Sequence, residues 1–403
     1  LSLTKEKSVE YLDKGIMISL GIHVIGSQWY IALSSIGQGI MLALLIIRLI
    51  LNHKVYKAES FIYIVFLLFV LSEIISSIFS VNPANSFMNT KRVLLFAGFF
   101  VTFTFIKDTK QLRYFLIVFF IFSALLSTYE IIRFYFEAYL PNKNLTLNDM
   151  RLQYFGYPIT NGEIKMLILL LILPFLFIKE NFVLKKYWLA LIFAPIFITL
   201  FLTASRNAIL GLFLGVIVIG ILKNRKFLLI FLLVTVLFLL FSPFEIKDRI
   251  LSIADLNHPS NQSRFVMWQT GLKIIKDHFF VGIGDTDLLQ IYTQYKIPVY
   301  HGEGVHLHNN FMQVFVSFGI IGLIVWIAMM IYIFCRQIKI YIITRKDNLL
   351  NTLALASLAS MVAFQISGLT EWNFSDYEFA AVLWFALGLS YLSQKLFLQN
   401  AKT

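Results

Sequence analysis

The feature that most constrains this chain is a succession of twelve apolar runs, each close to the length needed to cross a lipid bilayer. They lie near 13–29, 31–51, 60–80, 91–107, 111–137, 162–179, 187–203, 205–223, 226–243, 310–335, 348–369 and 377–398. A helix needs about 20 apolar residues to span the hydrocarbon core. Only closed barrels and helices satisfy the backbone there, and runs this long exclude the alternating pattern of a barrel. Composition agrees: 59% of residues are hydrophobic and 14% charged, against roughly a quarter charged in soluble domains. The expected fold class is therefore an all-α polytopic membrane protein with about twelve transmembrane helices.

The connections between runs alternate in character. With the N-terminus in the cytoplasm, the cytoplasmic segments carry Lys5, Lys7 and Lys14; Arg48, Lys54 and Lys57; Lys107, Lys110 and Arg113; Lys179, Lys185 and Lys186; Lys223, Arg225 and Lys226; Arg336, Lys339, Arg345 and Lys346; and Lys395 and Lys402. Each internal one is short and basic, as the positive-inside rule requires. An even number of spans with both termini inside preserves this agreement. The net charge of +12 then sets topology and calls for no nucleic-acid partner. The N-terminal run lacks a signal-peptide layout with a small-residue cleavage site. The single cysteine, Cys335, has no partner for an internal disulfide.

This reading divides the chain into nine helices over 1–243, an outer loop over 244–309, and three helices over 310–403. Ser242-Pro243-Phe244 stops the ninth run. Within the loop, Ser260-Asn261-Gln262-Ser263 offers helix caps before an amphipathic stretch opened by Arg264, in which Phe265, Trp268, Leu272, Ile275 and Phe279 recur at spacings of three and four. That face fits either the membrane surface or the bundle. Gly282-Ile283-Gly284 breaks the pattern.

Few residues outside the apolar runs are suited to chemistry. Arg206 stands in Thr203-Ala204-Ser205-Arg206-Asn207 at the outer edge of two runs. A snorkelling arginine accounts for it as well as a functional one does, but its small polar neighbours favour function. A guanidinium fork binds two phosphate oxygens at once. Arg264 is a second candidate phosphate contact, against the reading of a solvated charge; Arg151 and Arg92 are weaker candidates for substrate binding. Lys91 and Arg92 also fit ordinary interface anchors.

The remaining candidates form one stretch, His306-Leu307-His308-Asn309-Asn310, at the mouth of the run that starts at Phe311. Imidazoles and amides at the edge of a span are costly to desolvate. His301, Glu303, His306 and His308 do not make a standard metal-ligand spacing, and no second cluster completes them; no metal or other cofactor is expected. A histidine as general base is more economical, since its ordinary pKa near 6.5 lets it take a proton close to neutral pH. Asn309 and Gln313 stand one helical turn apart, placed to orient the base or a sugar. Gly319-Ile320-Ile321-Gly322 admits close helix packing. Arg206, Arg264, His306 and His308 all fall on the outer side.

At these residues the chain resembles the O-antigen ligase family, which shares a superfamily with O-antigen polymerases. The resemblance is carried by His308-Asn309 followed after nine residues by Gly319-x-x-Gly322, by Ser205-Arg206 at the outer end of a central helix, and by Asn261-Gln262-Ser263-Arg264, Trp268 and Gly282-Ile283-Gly284 in the outer loop. It implies an inverting, metal-independent GT-C-type glycosyltransferase in a bacterial inner membrane with its active site in the periplasm. Such an enzyme moves a preassembled glycan from undecaprenyl pyrophosphate to a sugar hydroxyl of lipid A-core. By position, His308 is then the base, and Arg206 and Arg264 bind the pyrophosphate; the role of His306 is open. The alternatives are an O-antigen polymerase, a transporter or flippase for lipid-linked saccharide, and transfer to protein.

Overall fold

The computed structural model describes residues 2–141, 151–152, 154–241, 252, 255–296 and 306–401. Ser242-Pro243-Phe244, His301 and Glu303 lie outside the described residues. Among the described residues there are fifteen α-helices and no strand. They are α1 (Ser2–Gly26), α2 (Ile31–Leu51), α3 (Ser60–Ile78), α4 (Pro83–Asn89), α5 (Ala97–Phe105), α6 (Thr109–Phe134), α7 (Pro158–Ile172), α8 (Lys186–Leu202), α9 (Arg206–Lys223), α10 (Arg225–Phe241), α11 (Pro259–Asp277), α12 (Leu288–Tyr295), α13 (Asn310–Ile343), α14 (Asn348–Ser367) and α15 (Tyr377–Asn400).

The polytopic all-helical class holds. Among the described residues, eight helices are long and apolar enough to cross a membrane, namely α2, α3, α6, α7, α9, α13, α14 and α15. The other four expected runs also form helices, shorter or more charged: α1, α5, α8 and α10. The expected span at 91–107 is divided. Its first part, Thr90–Phe96, is a 3₁₀ turn, and only the nine residues of α5 are α-helical.

The centre of the bundle is formed by α7, α14 and α15, whose apolar windows are 83%, 78% and 83% buried, whereas α2 at the edge is 28% buried. Lipid tails are as apolar as leucine side chains, so helices associate in a membrane through close packing more than through the hydrophobic effect. The small residues of α14 serve that purpose: Ala354, Ala356, Ser357, Ala359, Ser360 and Ala363 are all buried, against α9 on one side and α15 on another. Between α3, α5 and α15 the filling is aromatic. Phe96 meets Trp384 edge-on at 4.7 Å, and Phe66 lies 5.5 Å from the same indole, spacings at which ring quadrupoles attract.

Connections predicted to alternate between two sides gather at two ends of the bundle. At one end Asp13 pairs with Arg48 at 2.7 Å and with Lys107 at 2.9 Å, while the buried Lys395 donates to the carbonyls of Phe103, Thr104 and Ile106. At the other end meet the connections around residues 80–92, 151–152, 203–206, 255–296, 306–309 and 368–376, which hold the candidate residues except Gln313, in the first turn of α13.

The amphipathic segment of the loop packs against the bundle. Met267, Thr270, Gly271, Ile274 and Ile275 are its buried residues. Met267, Ile274 and Ile275 form a small core of their own with Ile283, with Leu288 and Tyr292 of α12, and with Leu307 and Val316. Leu272, expected on the apolar face, is 56% exposed. The helix also starts earlier than the caps at 260–263 suggested: His258 is the cap residue, with Pro259 in the first turn, a position where proline loses no hydrogen bond. Arg264 therefore lies in the second turn of α11.

Candidate active site

Two glycines determine how the loop meets the bundle. Gly319 (φ 65°, ψ −169°) breaks α13 into two helical parts, and Gly282 has φ 71°. At this kink the segment 279–284 pairs with 316–321 by backbone hydrogen bonds: Ile283 N–H to Val316 O (2.9 Å), Gly284 N–H to Ser317 O (2.8 Å) and Ile320 N–H to Phe279 O (2.8 Å). A Cβ at Gly319 would collide with the Phe280 carbonyl, and one at Gly282 with that of Ser317. Left-handed φ and close backbone approach both require glycine. Gly319 thus serves a backbone crossing between loop and helix, while a Cβ at Gly322 would meet Phe318 of the same helix and come within 3.8 Å of Ser72 on α3.

The histidine segment is held from both sides. Leu307 is fully buried; its carbonyl accepts from Trp268 Nε1 (2.8 Å) and its N–H donates to Gln313 Oε1 (2.9 Å). Asn309 caps α13 by accepting from Met312 N–H (2.9 Å) and donates to Leu369 O (2.8 Å). Asn309 and Gln313 thus position the segment. Between them His308 takes a left-handed φ of 47°, a conformation that for a non-glycine residue persists only where its surroundings enforce it.

What the histidines face was not foreseen. Glu371, in the connection between α14 and α15, is 4% exposed. Its two oxygens lie 3.0 and 2.9 Å from His308 Nδ1, and one is 3.5 Å from His306 Nε2. A carboxylate only accepts, so Nδ1 carries the proton and Nε2 of His308 is left as a base. The rings of His306 and His308 are 4.1 Å apart at 89°. Burial pushes the Glu371 carboxyl up. The hydrogen bond and charge of His308, then His306 and the Trp372 N–H, outweigh it and leave the group below the usual carboxylate range. His306 is pushed down to about 4 by burial and by His308, with Glu371 opposing, and is therefore neutral at neutral pH.

Among the described residues, His306, His308 and Glu371 are grouped closely enough to hold a metal ion. Their ligand atoms lie within 4.8 Å of one another, so Glu371 supplies the third donor that the sequence did not reveal.

The arginines divide into two groups. Arg206 donates to the Ser252 hydroxyl (3.0 Å) and carbonyl (3.2 Å) and to the Ser260 hydroxyl, which draws the start of α9 to the start of α11. Arg264, one helical turn beyond Ser260, donates to Asn261 Oδ1 at 3.4 Å. Burial lowers its pKa while Glu371 raises it; a guanidinium stays charged regardless. Arg151 joins this side through Thr203 O (3.3 Å). Arg92 stands apart: it binds both oxygens of Asp285 at 3.0 and 2.9 Å.

A buried chain of amides joins Arg206 to His308. Asn207 and Asn373 each donate to Glu163 Oε1 at 2.7 Å. Asn310 donates to Asn373 Oδ1 (2.8 Å) and accepts from the Asn373 N–H (3.0 Å). Asn207 follows Arg206 and Asn310 lies two residues after His308, so one polar network fixes the start of both helices. Sequence reasoning missed Glu163, Glu371 and Asn373. An acid inside an apolar run is itself a signal of function, and Glu371 and Asn373 lie in a connection on the same side as His308.

No curated protein matches the chain. Residues 189–327, about a third of the chain, match the protein family described as O-antigen ligase, and this span, which holds Arg206, Arg264, His306, His308 and Gly319, is consistent with a multi-pass membrane protein of that family.

Proposed function

We propose that this chain is a glycosyltransferase that moves a preassembled glycan from undecaprenyl pyrophosphate to a sugar hydroxyl of lipid A-core, the O-antigen ligase reaction, on the periplasmic side of a bacterial inner membrane. The observation that carries the reading is the Glu371–His308 pair, whose histidine lies with Arg206 and Arg264 in the span that matches a ligase family. His308 Nε2 accepts the proton of the acceptor hydroxyl. The oxygen forms a bond to the anomeric carbon as the carbon–oxygen bond to pyrophosphate breaks, with inversion. The electron pair leaves with undecaprenyl pyrophosphate, whose charge Arg206 and Arg264 stabilise. Asn309 and Gln313 hold the base in place. Arg151 supports the donor side, and the architecture is of the GT-C type.

A second reading rests on the close grouping of His306, His308 and Glu371: a divalent cation held there would activate the hydroxyl as a Lewis acid.

Reconstitution with undecaprenyl-pyrophosphate glycan and lipid A-core, without added metal, tests the proposal. Capped lipopolysaccharide is the expected product. Glycan extension without acceptor identifies a polymerase, and a donor that is never consumed removes the transferase reading in favour of transport.

A further inference from the structure

A cleft of about 410 Å³ opens beside His306, inside the ~300–1,000 Å³ range of small-ligand sites. Its walls come from four connections. Asn85 and Asn89 belong to α4, Arg92 to the 3₁₀ turn, and Asp285 to the loop. His306 and Gln313 flank the histidine segment, and Trp372 follows Glu371. Neither Arg206 nor Arg264 lines it.

The chemistry of these walls is that of a site for neutral hydroxyl-bearing ligands. Arg92 is held by both oxygens of Asp285, and Asp287 and Asp376 also line the cleft; such carboxylates accept from hydroxyl groups and disfavour phosphate. Asn89 donates to the Asp285 carbonyl (2.9 Å) and to Asn85 Oδ1 (3.2 Å), an amide pair fixed at the rim with capacity left for hydroxyl groups. Trp372 is half-buried and lies 6.0 Å from Phe374, an amphipathic ring of the kind that packs on sugar faces.

We infer that this cleft is the subsite for the acceptor saccharide, with the donor pyrophosphate held separately at Arg206 and Arg264. The inference rests on the transfer reading for the identity of the acceptor. Inverting displacement requires the nucleophile and the leaving group on opposite sides of the anomeric carbon, with the base on the nucleophile's side. His306 borders the cleft and its ring lies 4.1 Å from that of His308, while Arg206 and Arg264 are not among the residues that line it. A hydroxyl entering through the cleft therefore reaches the histidines by a route that Arg206 and Arg264 do not line.

The test uses the full-length protein in lipid nanodiscs, with delipidated, dephosphorylated core oligosaccharide as the probe, read by calorimetry, and separate KM values for donor and acceptor. Asn85→Ala and Trp372→Ala are each expected to weaken oligosaccharide binding and raise the acceptor KM about tenfold, the loss of one good polar or stacking contact. The donor KM should be unchanged. Asn85 is half-exposed, so its variant tests the cleft even if loss of the indole impairs folding. Unaltered oligosaccharide affinity in the folded variants, absence of binding to the wild-type protein, or a rise confined to the donor KM would each overturn the assignment. Oligosaccharide binding that depends on Asn85 in a protein that never consumes donor supports the subsite and removes the transfer reading instead.

Discussion

His308 Nδ1 lies 2.9 and 3.0 Å from the two carboxylate oxygens of Glu371, 63 residues further along the chain. The pair forms because Asn309 and Asn310 tie the start of α13 to the connection that carries Glu371, through Leu369, Gly368 and Asn373. The carboxylate selects the imidazole tautomer and, in the proposed reaction, would stabilise the imidazolium formed when His308 takes a proton.

Glu371→Gln is expected to lower kcat by ~10²-fold or more, the scale of general-base catalysis, with donor KM nearly unchanged. A glutamine can donate to Nδ1 and thereby stabilise the wrong tautomer. Glu371→Asp should restore part of the rate. Wild-type kcat in the glutamine variant would show that Glu371 does not act through His308.

His308→Ala should abolish transfer while donor binding persists. Arg206→Ala and Arg264→Ala should raise the donor KM or lower turnover by ~10²-fold, the cost of removing one charge-stabilising donor. Arg206→Lys should rescue poorly, because an ammonium cannot reproduce the fork. Single-turnover assays with labelled donor separate the two losses, and normal turnover in His308→Ala would remove the base assignment.

Chelation distinguishes the two readings of the histidine cluster. Under the general-base proposal, EDTA leaves turnover unchanged, whereas added Zn²⁺ inhibits by ligating His306, His308 and Glu371. Loss of activity on chelation, restored by a divalent cation, would favour the metal-assisted reading.

Gly319→Ala should destabilise the protein by roughly 3 kcal/mol or more, since a Cβ there meets the Phe280 carbonyl at a left-handed φ. Thermal unfolding in detergent and the yield of folded protein report it. Gly39→Ala is the control, because a Cβ at that position meets nothing within 4 Å.

Acid should destabilise the folded protein partly through His306. Its folded pKa is about 4, below the ordinary 6.5. Between these values the unfolded chain binds a proton that the folded chain does not, so stability falls as pH drops through this window. Glu371, depressed in the folded state, adds a loss at lower pH. Midpoints of unfolding compared between about pH 7 and pH 5 should fall less in His306→Asn than in wild type. An equal fall would show that His306 is not the group responsible.

Most of the helices were legible because each span repeats the same requirement: an apolar run of bilayer length bounded by basic or polar connections. The 91–107 run misled because its apolar character says nothing of the 3₁₀ turn, where Arg92 reaches Asp285. The loop helix misled at its start and in its buried face. His258 took the cap, and the face chosen for burial was the one that met Leu307 through the close approach at Gly271.

The sequence by itself determined the helical class and the single side on which the arginines and histidines collect, since hydropathy and charge act locally along the chain. It also singled out His308, whose neighbours are polar at a point where polarity is expensive. The tertiary structure alone decided the partners. Glu371 meets His308, Glu163 bridges Asn207 and Asn373, and Asp285 takes Arg92 away from the arginines beside α11. These contacts join residues far apart in sequence through buried hydrogen bonds. Such pairings depend on how the helices pack, which no local pattern records.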